Sequence, residues 1–176
     1  MKSALILHAW LNGPDTHWYP WLKKELQKKD YQVFLPEIPT MNTKLPSLSK
    51  QMNFIKRNIP LNENFVVIGH SLGALLGLRL AEKFKFKKLI LVAGWDFNDL
   101  TEEHRLFWRN RINHQTIKQN VKQIYCISSD NDPYYTACLA NEMCTRLAGK
   151  FLLIKGAGHF TKKDGIDSLP QIIKYI

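Results

Sequence analysis

Cysteine is scarce. Cys126, Cys138 and Cys144 are the only three in 176 residues. The number is odd and no C-x-x-C pair occurs, so the chain carries neither a disulfide framework nor a zinc motif, and a reducing, cytoplasmic setting is expected. Long apolar runs are missing too: none approaches the roughly 20 residues of a membrane-spanning helix. The apolar opening "MKSALILHAWLNG" is too short for a secretory leader and lacks a small-residue cleavage site at the right distance, so it reads as a first strand. Repeats and low-complexity tracts are absent, which excludes a solenoid or a disordered tail. Acidic residues are in deficit, 15 Asp plus Glu against 25 Lys plus Arg, for a formal net charge of +10. Such an excess suits anionic partners. The lysines are scattered, however, at Lys23, Lys24, Lys28 and Lys29, at Lys83, Lys85, Lys87 and Lys88, and at Lys162 and Lys163, with no interleaved aromatics to form a nucleic-acid platform. A solvated basic surface is expected, without specific nucleic-acid binding.

What is present suits one globular domain over residues 1–176, since 45% of the residues are hydrophobic and 23% charged. Short apolar runs rich in β-branched residues, "ALIL", "QVFL", "FVVIG", "KLILVAG", "IYCIS" and "FLLIK", alternate with segments of helical period. The helices are expected over Trp18–Lys29, Ser47–Asn58, Leu72–Phe84, around Glu102–Asn120, Tyr134–Leu147 and Gly165–Tyr175. In the first, Trp18, Trp21, Leu22 and Leu26 share one face, and Pro20 falls in the tolerant opening turn. Regular alternation of strand and helix implies an α/β fold, a parallel sheet with helices on both faces and strands apolar almost throughout. The irregular stretches Glu37–Pro46 and Gly94–Thr101 each follow a strand, where α/β proteins place ligands.

Within "FVVIGHSLGALLGLRL", Gly69-His70-Ser71-Leu72-Gly73 is a G-x-S-x-G motif at the junction of an expected strand and an expected helix. That context distinguishes a nucleophile elbow from an ordinary Gly-Ser turn: the serine is held exposed on a strained turn, and the small flanking residues let neighbouring backbone approach. The helix N-terminus offers free N–H groups to an oxyanion, Leu72 first among them. A second donor is expected from the loop after the first strand, at the backbone N–H of Trp10. A serine nucleophile needs a base and a group to orient it. His159 lies in a glycine-rich loop directly after the last strand, whereas His17, His104 and His114 lie in helical or amphipathic stretches and the His70 ring should point away from Ser71. For the acid, "SSDNDPYYT" offers Asp130 and Asp132, and an Asx turn before a helix is an equally good use of either. Ser, Asp, His is the chain order expected on an α/β-hydrolase sheet.

With these residues in place the chain resembles the α/β-hydrolases, and more narrowly the small serine hydrolases of the retinoblastoma-binding protein nine type and their bacterial relatives. The resemblance rests on "LILHAWLNGPDTHWYPWLKKEL", "VVIGHSLGA", "ISSDNDPYYT" and "GAGHF" and covers nearly the whole chain. It implies Ser71 as nucleophile, His159 as base and Asp132, just before Pro133, as the orienting acid, with His8 serving the structure of the oxyanion loop. Proline also restricts Asp132 to extended conformations, which leaves Asp130 to accept local N–H bonds in the turn. Relatives usually have glycine after the loop histidine, where this chain has Ala9. The resemblance further implies six parallel strands in the order 2-1-3-4-5-6 and no large cap domain. Only Trp95–Asn120 is then available as a lid, with Trp95 a candidate for contact with substrate and Phe107 and Trp108 expected to pack beneath it.

The function these features imply is hydrolysis of a small acyl ester, thioester or amide, most simply a carboxylesterase, with no metal and no organic cofactor. The rival is a protein-interaction module on the same scaffold, its site vestigial and its partner another protein.

Overall fold

The structure is a computed structural model that describes residues 2–176. Six strands, β1 (Lys2–Leu7), β2 (Tyr31–Phe34), β3 (Phe65–His70), β4 (Phe86–Val92), β5 (Val121–Ser129) and β6 (Lys150–Ile154), form one sheet in the order β2-β1-β3-β4-β5-β6. Every neighbouring pair is parallel. The order reverses between β1 and β3, and all the strands end on one edge, with Leu7 level with Gly69 and His70 level with Val92. At such a reversal the connections diverge to opposite faces and open a crevice.

Helices α2 (Leu48–Asn58), α3 (Leu72–Ala81), α4 (His114–Asn120) and α5 (Ala137–Arg146) cover one face of the sheet, where Leu5, Val67, Leu89, Cys126, Ile55, Leu76, Ile117 and Met143 share a core. The other face is covered by α1 (Tyr19–Gln27) and the C-terminal turn, through Ile68, Val92, Tyr19, Leu22, Leu26 and Ile172. Strand β3 is therefore buried at all six positions, and α3, the helix that follows it, at all ten. A strand buried on both faces reads as a near-continuous apolar run, as β3 does here up to His70. Of the α1 face expected from the sequence, Trp18, Leu22 and Leu26 are fully buried and Trp21 is only partly so.

Two expected helices are not formed as such. Between Glu102 and Asn120 the chain makes a single 3₁₀ turn at Arg105–Phe107 and does not become α-helical until His114. The cause is tertiary: the Arg79 guanidinium, reaching up from α3, donates hydrogen bonds to the carbonyl oxygens of Phe107, Asn110 and Arg111, the acceptors a continuous helix would need. Asn113 then caps α4 by accepting from the Thr116 N–H. At the C-terminus the expected helix over Gly165–Tyr175 is instead a 3₁₀ helix at Pro170–Tyr175, because Pro170 has no N–H to donate and its ring excludes a helical turn before it. No helix among the described residues is long and apolar enough to cross a membrane.

Candidate active site

Ser71 sits where β3 turns into α3, with φ 55° and ψ −122°. This backbone region costs a side-chain-bearing residue about 1–3 kcal/mol and persists only when its surroundings enforce it. Here they do. The Ser71 N–H is held by the Val92 carbonyl at 2.9 Å, and the following turn packs so closely that a Cβ on Gly69 would lie 2.6 Å from Ala74 Cα. On Gly73 a Cβ would lie 2.7 Å from the His8 carbonyl oxygen. Both glycines are thus needed for contact, Gly69 inside the elbow and Gly73 where α3 abuts the loop after β1.

That second contact sets the start of α3 against the backbone of Leu7 and His8, at the entry to the loop that carries Trp10. Neither the Leu72 N–H nor the Trp10 N–H has a hydrogen-bond acceptor among the described residues. The Ala9 N–H, one residue before Trp10 in the loop, is taken by the Tyr19 hydroxyl at 3.0 Å. Ala9 keeps a negative φ, so its Cβ forces no strain. His8 is fully buried and accepts from the Ile38 N–H at Nε2 while Nδ1–H donates to the Ala9 carbonyl. Burial keeps its pKa below the ordinary histidine value, as an imidazole that accepts at one nitrogen requires.

His159 lies in the loop after β6. Its Nε2 receives the Ser71 hydroxyl at 2.9 Å, and its Nδ1–H donates to Asp132 Oδ2 at 2.8 Å. The Asp132 side chain is 1% exposed and that of His159 11%. Its other oxygen, Oδ1, accepts from the Tyr134 N–H, so one aspartate both caps its turn and meets the histidine. Asp130 departs from expectation. It makes no local turn bond and instead reaches across to the Gly156 N–H at 2.8 Å.

The reach of Asp130 belongs to a larger pattern that sequence reading did not find. Four successive amides of the histidine loop are each caught by a side chain: Gly156 by Asp130, Ala157 by Ser129 Oγ, Gly158 by Asn131 Oδ1 and His159 by Asp164. Ser129 Oγ–H also donates to Asn131 Oδ1 at 2.6 Å. The sole sequence signal is the density of short polar side chains in "SSDND" opposite a glycine-rich segment, whose N–H groups would otherwise be open.

Trp95, the candidate for substrate contact, is 2% exposed, its ring stacked on Tyr135 at 4.7 Å and tilted against His104 at 5.4 Å. Aromatic contacts run without a break from Trp10 through His104, Trp95, Tyr135 and Tyr134 to His159. Two histidines that the sequence reading set aside have carboxylate partners: His104 meets Asp99 at 2.6 Å, and His114 meets Asp96 at 2.6 Å. Arg146 holds the same Asp96 with two nitrogens. Burial alone would raise the Asp99 carboxyl, but hydrogen bonds from His104 and Thr101 outweigh it and hold the group below the usual carboxylate range. No cluster of three or more potential metal ligands exists among the described residues.

Known proteins are similar to this chain in sequence and in fold. YdeN of Bacillus subtilis (strain 168) is 26% identical over 180 residues, covering 97% of this chain and 92% of its own length. The crystal structure of the ydeN gene product superposes with a TM-score of 0.90 over 99% of this chain and 96% of that one, at 25% identity. The serine hydrolase RBBP9 of Rattus norvegicus is 29% identical over 163 residues, 90% of this chain and 86% of its own. Est1E from Butyrivibrio proteoclasticus, seen with ferulic acid, shares the fold at a TM-score of 0.71 and 14% identity, over 92% of this chain and 82% of that one. Residues 4–176 match the family described as serine hydrolase, and with the six-stranded parallel sheet of the α/β-hydrolase superfamily the chain belongs to that family.

Proposed function

We propose that the protein hydrolyses a small acyl ester, and by the same route a thioester or amide, through an acyl-enzyme on Ser71. The observation that carries this is the unbroken hydrogen-bonded line from the strained Ser71 through His159 to the buried Asp132. His159 Nε2 takes the Ser71 proton as Oγ bonds to the carbonyl carbon and the C=O electron pair moves onto oxygen. The Leu72 and Trp10 N–H groups receive that oxyanion, each such donor contributing on the order of a hundredfold or more in turnover. Collapse expels the leaving group, which takes the proton from His159. Water then repeats the cycle against the acyl-enzyme and frees Ser71. Asp132 holds the imidazole in the tautomer with hydrogen on Nδ1 and stabilises its charged form. Trp95, within the aromatic wall, borders the acyl pocket. Membership of the serine hydrolase family supports the reading, and three free thiols suit the reducing cytoplasm in which we assign the activity.

A fluorophosphonate probe should label the native protein once, and Ser71→Ala should abolish both labelling and ester turnover while leaving the circular dichroism spectrum unchanged. Undiminished labelling of that variant would remove Ser71 from its role. A folded wild type that takes no label and cleaves no ester in a series graded by acyl length would leave the scaffold as an interaction module.

A further inference from the structure

Behind the Ser71–His159 pair lies a second hydrogen-bonded chain that the reaction as written does not use. The Ala9 N–H meets the Tyr19 hydroxyl at 3.0 Å, that hydroxyl meets His70 Nδ1 at 2.6 Å, and His70 Nε2 meets the His159 carbonyl oxygen at 2.8 Å. Tyr19 and His70 are both 0% exposed. The chemistry of the ends fixes its direction. A carbonyl only accepts, so His70 Nε2 carries the hydrogen; a neutral imidazole then has a bare Nδ1, which accepts from the Tyr19 O–H; the Tyr19 oxygen is left to accept from Ala9. Every polar atom in the chain is satisfied in one arrangement only.

We infer that Tyr19 and His70 are positioning residues that set the His159 loop against the oxyanion loop, with the nucleophile elbow as the point through which both are referenced. The inference rests on the assignment of His159 as base. His70 is the residue before Ser71, Ala9 the residue before the Trp10 N–H, and His159 supplies the far carbonyl. One relay therefore touches all three loops whose relative placement decides whether a carbonyl carbon can meet Oγ while its oxygen meets the two donors.

The same turn of chain grips the histidine loop at two further points. Trp18 Nε1–H donates to the Phe160 carbonyl at 3.1 Å, and His17 Nδ1 accepts from the Lys162 N–H at 3.0 Å. Phe160 and His17 both have positive φ, 59° and 52°, conformations that an unrestrained loop would relax. A purely apolar contact between this segment and the loop would leave the loop free to slide; two directed bonds, together with the His70 bond from the elbow, do not.

The relay also requires His70 to remain uncharged. A second proton would sit on Nδ1, turn the Tyr19 oxygen into a double acceptor and leave the Tyr19 hydrogen without a partner in a fully buried place. Burial first, and then the nearby His159 and His17, hold the His70 pKa well below the ordinary histidine value, against the opposing bond to the His159 carbonyl. That neutrality has a use. The two rings are 5.4 Å apart, and His159 carries a proton during turnover. A charged His70 would oppose it.

The test has one arm that needs no catalysis. In the folded wild type, ¹⁵N shifts of the histidine rings should give His70 a protonated Nε2 and a bare Nδ1, and Tyr19→Phe should move the Nδ1 resonance toward the value of a free acceptor. In the kinetic arm, Tyr19→Phe should lower kcat for an activated ester about tenfold to a hundredfold, the scale of a small misplacement, with KM within about twofold. His70→Gln keeps an N–H for the His159 carbonyl and should retain more kcat than His70→Leu, which keeps none. Tyr19→Phe combined with His70→Leu should cost little beyond His70→Leu alone, as for members of one relay. An Nδ1-protonated His70 overturns the inference. So does a kcat within twofold of wild type in folded Tyr19→Phe, or a double variant whose losses simply multiply. If wild type takes no fluorophosphonate label at all, the assignment of Ser71 falls, while the ring shifts still decide whether the relay exists.

Discussion

The two sides of the crevice are held by different means. On the acid–base side, Ser129 to Asn131 hold the amides of residues 156 to 158 pair by pair, Asp164 holds the amide of His159, and Asp132 meets its ring. On the side where we place the substrate, the chain from Trp95 to Arg111 has one short 3₁₀ turn and leaves buried polar atoms without partners, Trp95 Nε1, His104 Nε2 and Trp108 Nε1. It is secured at a few points, by Arg79 beneath, by the Arg146–Asp96 ion pair and by the hydrogen bonds of Asp96 to His114 and of Asp99 to His104, and Leu100 at its tip is 85% exposed. One side is over-determined and the other is pinned. A reaction centre tolerates little displacement, whereas a wall that admits different acyl groups needs room to adjust.

Substitutions on each side should expose this contrast. The largest effect belongs to Asp132→Asn, which keeps an acceptor for the Tyr134 N–H but offers the imidazole the wrong partner. Turnover of an activated ester should fall by roughly three to four orders of magnitude with the fold intact by circular dichroism. A loss below tenfold would mean that the braces, and not the carboxylate, orient His159.

Ser129→Ala comes next. It strips the buried Ala157 N–H of its acceptor, and chemical denaturation should record a loss of about 1–3 kcal/mol. Turnover should fall about tenfold as the histidine loop loosens. Asp130→Asn is its control, because the amide oxygen can still accept from Gly156; turnover within about threefold of wild type is expected. Should Asp130→Asn prove the more damaging of the two, the loop is held by charge and not by the pairing of individual amides.

The smallest effect on chemistry should come from the other side. Asp99→Asn removes a charged acceptor from His104 and Thr101, so the thermal midpoint should drop by about 2–4 °C, the shift worth 1 kcal/mol in a domain of this size. Turnover of the smallest esters should stay within about threefold, the changes appearing in KM for longer acyl groups. The sign with pH follows from a folded pKa held below the unfolded one. The contribution is fully present above the unfolded value of about 3.9 and is lost as pH falls through the lower folded value. Wild type and Asp99→Asn should therefore differ at neutral pH and converge in strong acid; a difference that persists there would place the effect in packing.

Strand positions could be read in the sequence because parallel strands buried on both faces are continuous apolar runs, while sheet order and family came through the resemblance carried by motifs such as "VVIGHSLGA", whose Gly69 and Gly73 positions admit nothing larger. The three side chains marked there, Ser71, Asp132 and His159, are neighbours in the fold for the related reason that each follows the end of a strand. What could not be read depends on contacts between distant residues. Nothing in "RLFWRNRIN" announces that Arg79 will take its carbonyls and stop a helix. Asp130 looks like a turn-former in a turn-forming sequence, and its partner lies 26 residues away. His70 was set aside for pointing away from Ser71; its partners, Tyr19 and the His159 carbonyl, are 51 and 89 residues distant.

The position of β6 gives this arrangement a consequence for breathing motions. It is an edge strand, hydrogen-bonded to β5 alone, and edge elements are where partial opening costs least. His159 follows directly from it and would be expected to come and go with every fraying event. Its loop, however, is anchored to the segment after β5, to the turn before α1 and to the nucleophile elbow. The strand can therefore peel and re-anneal while the imidazole stays in register, and the rhythm of this edge of the sheet is not imposed on the reaction.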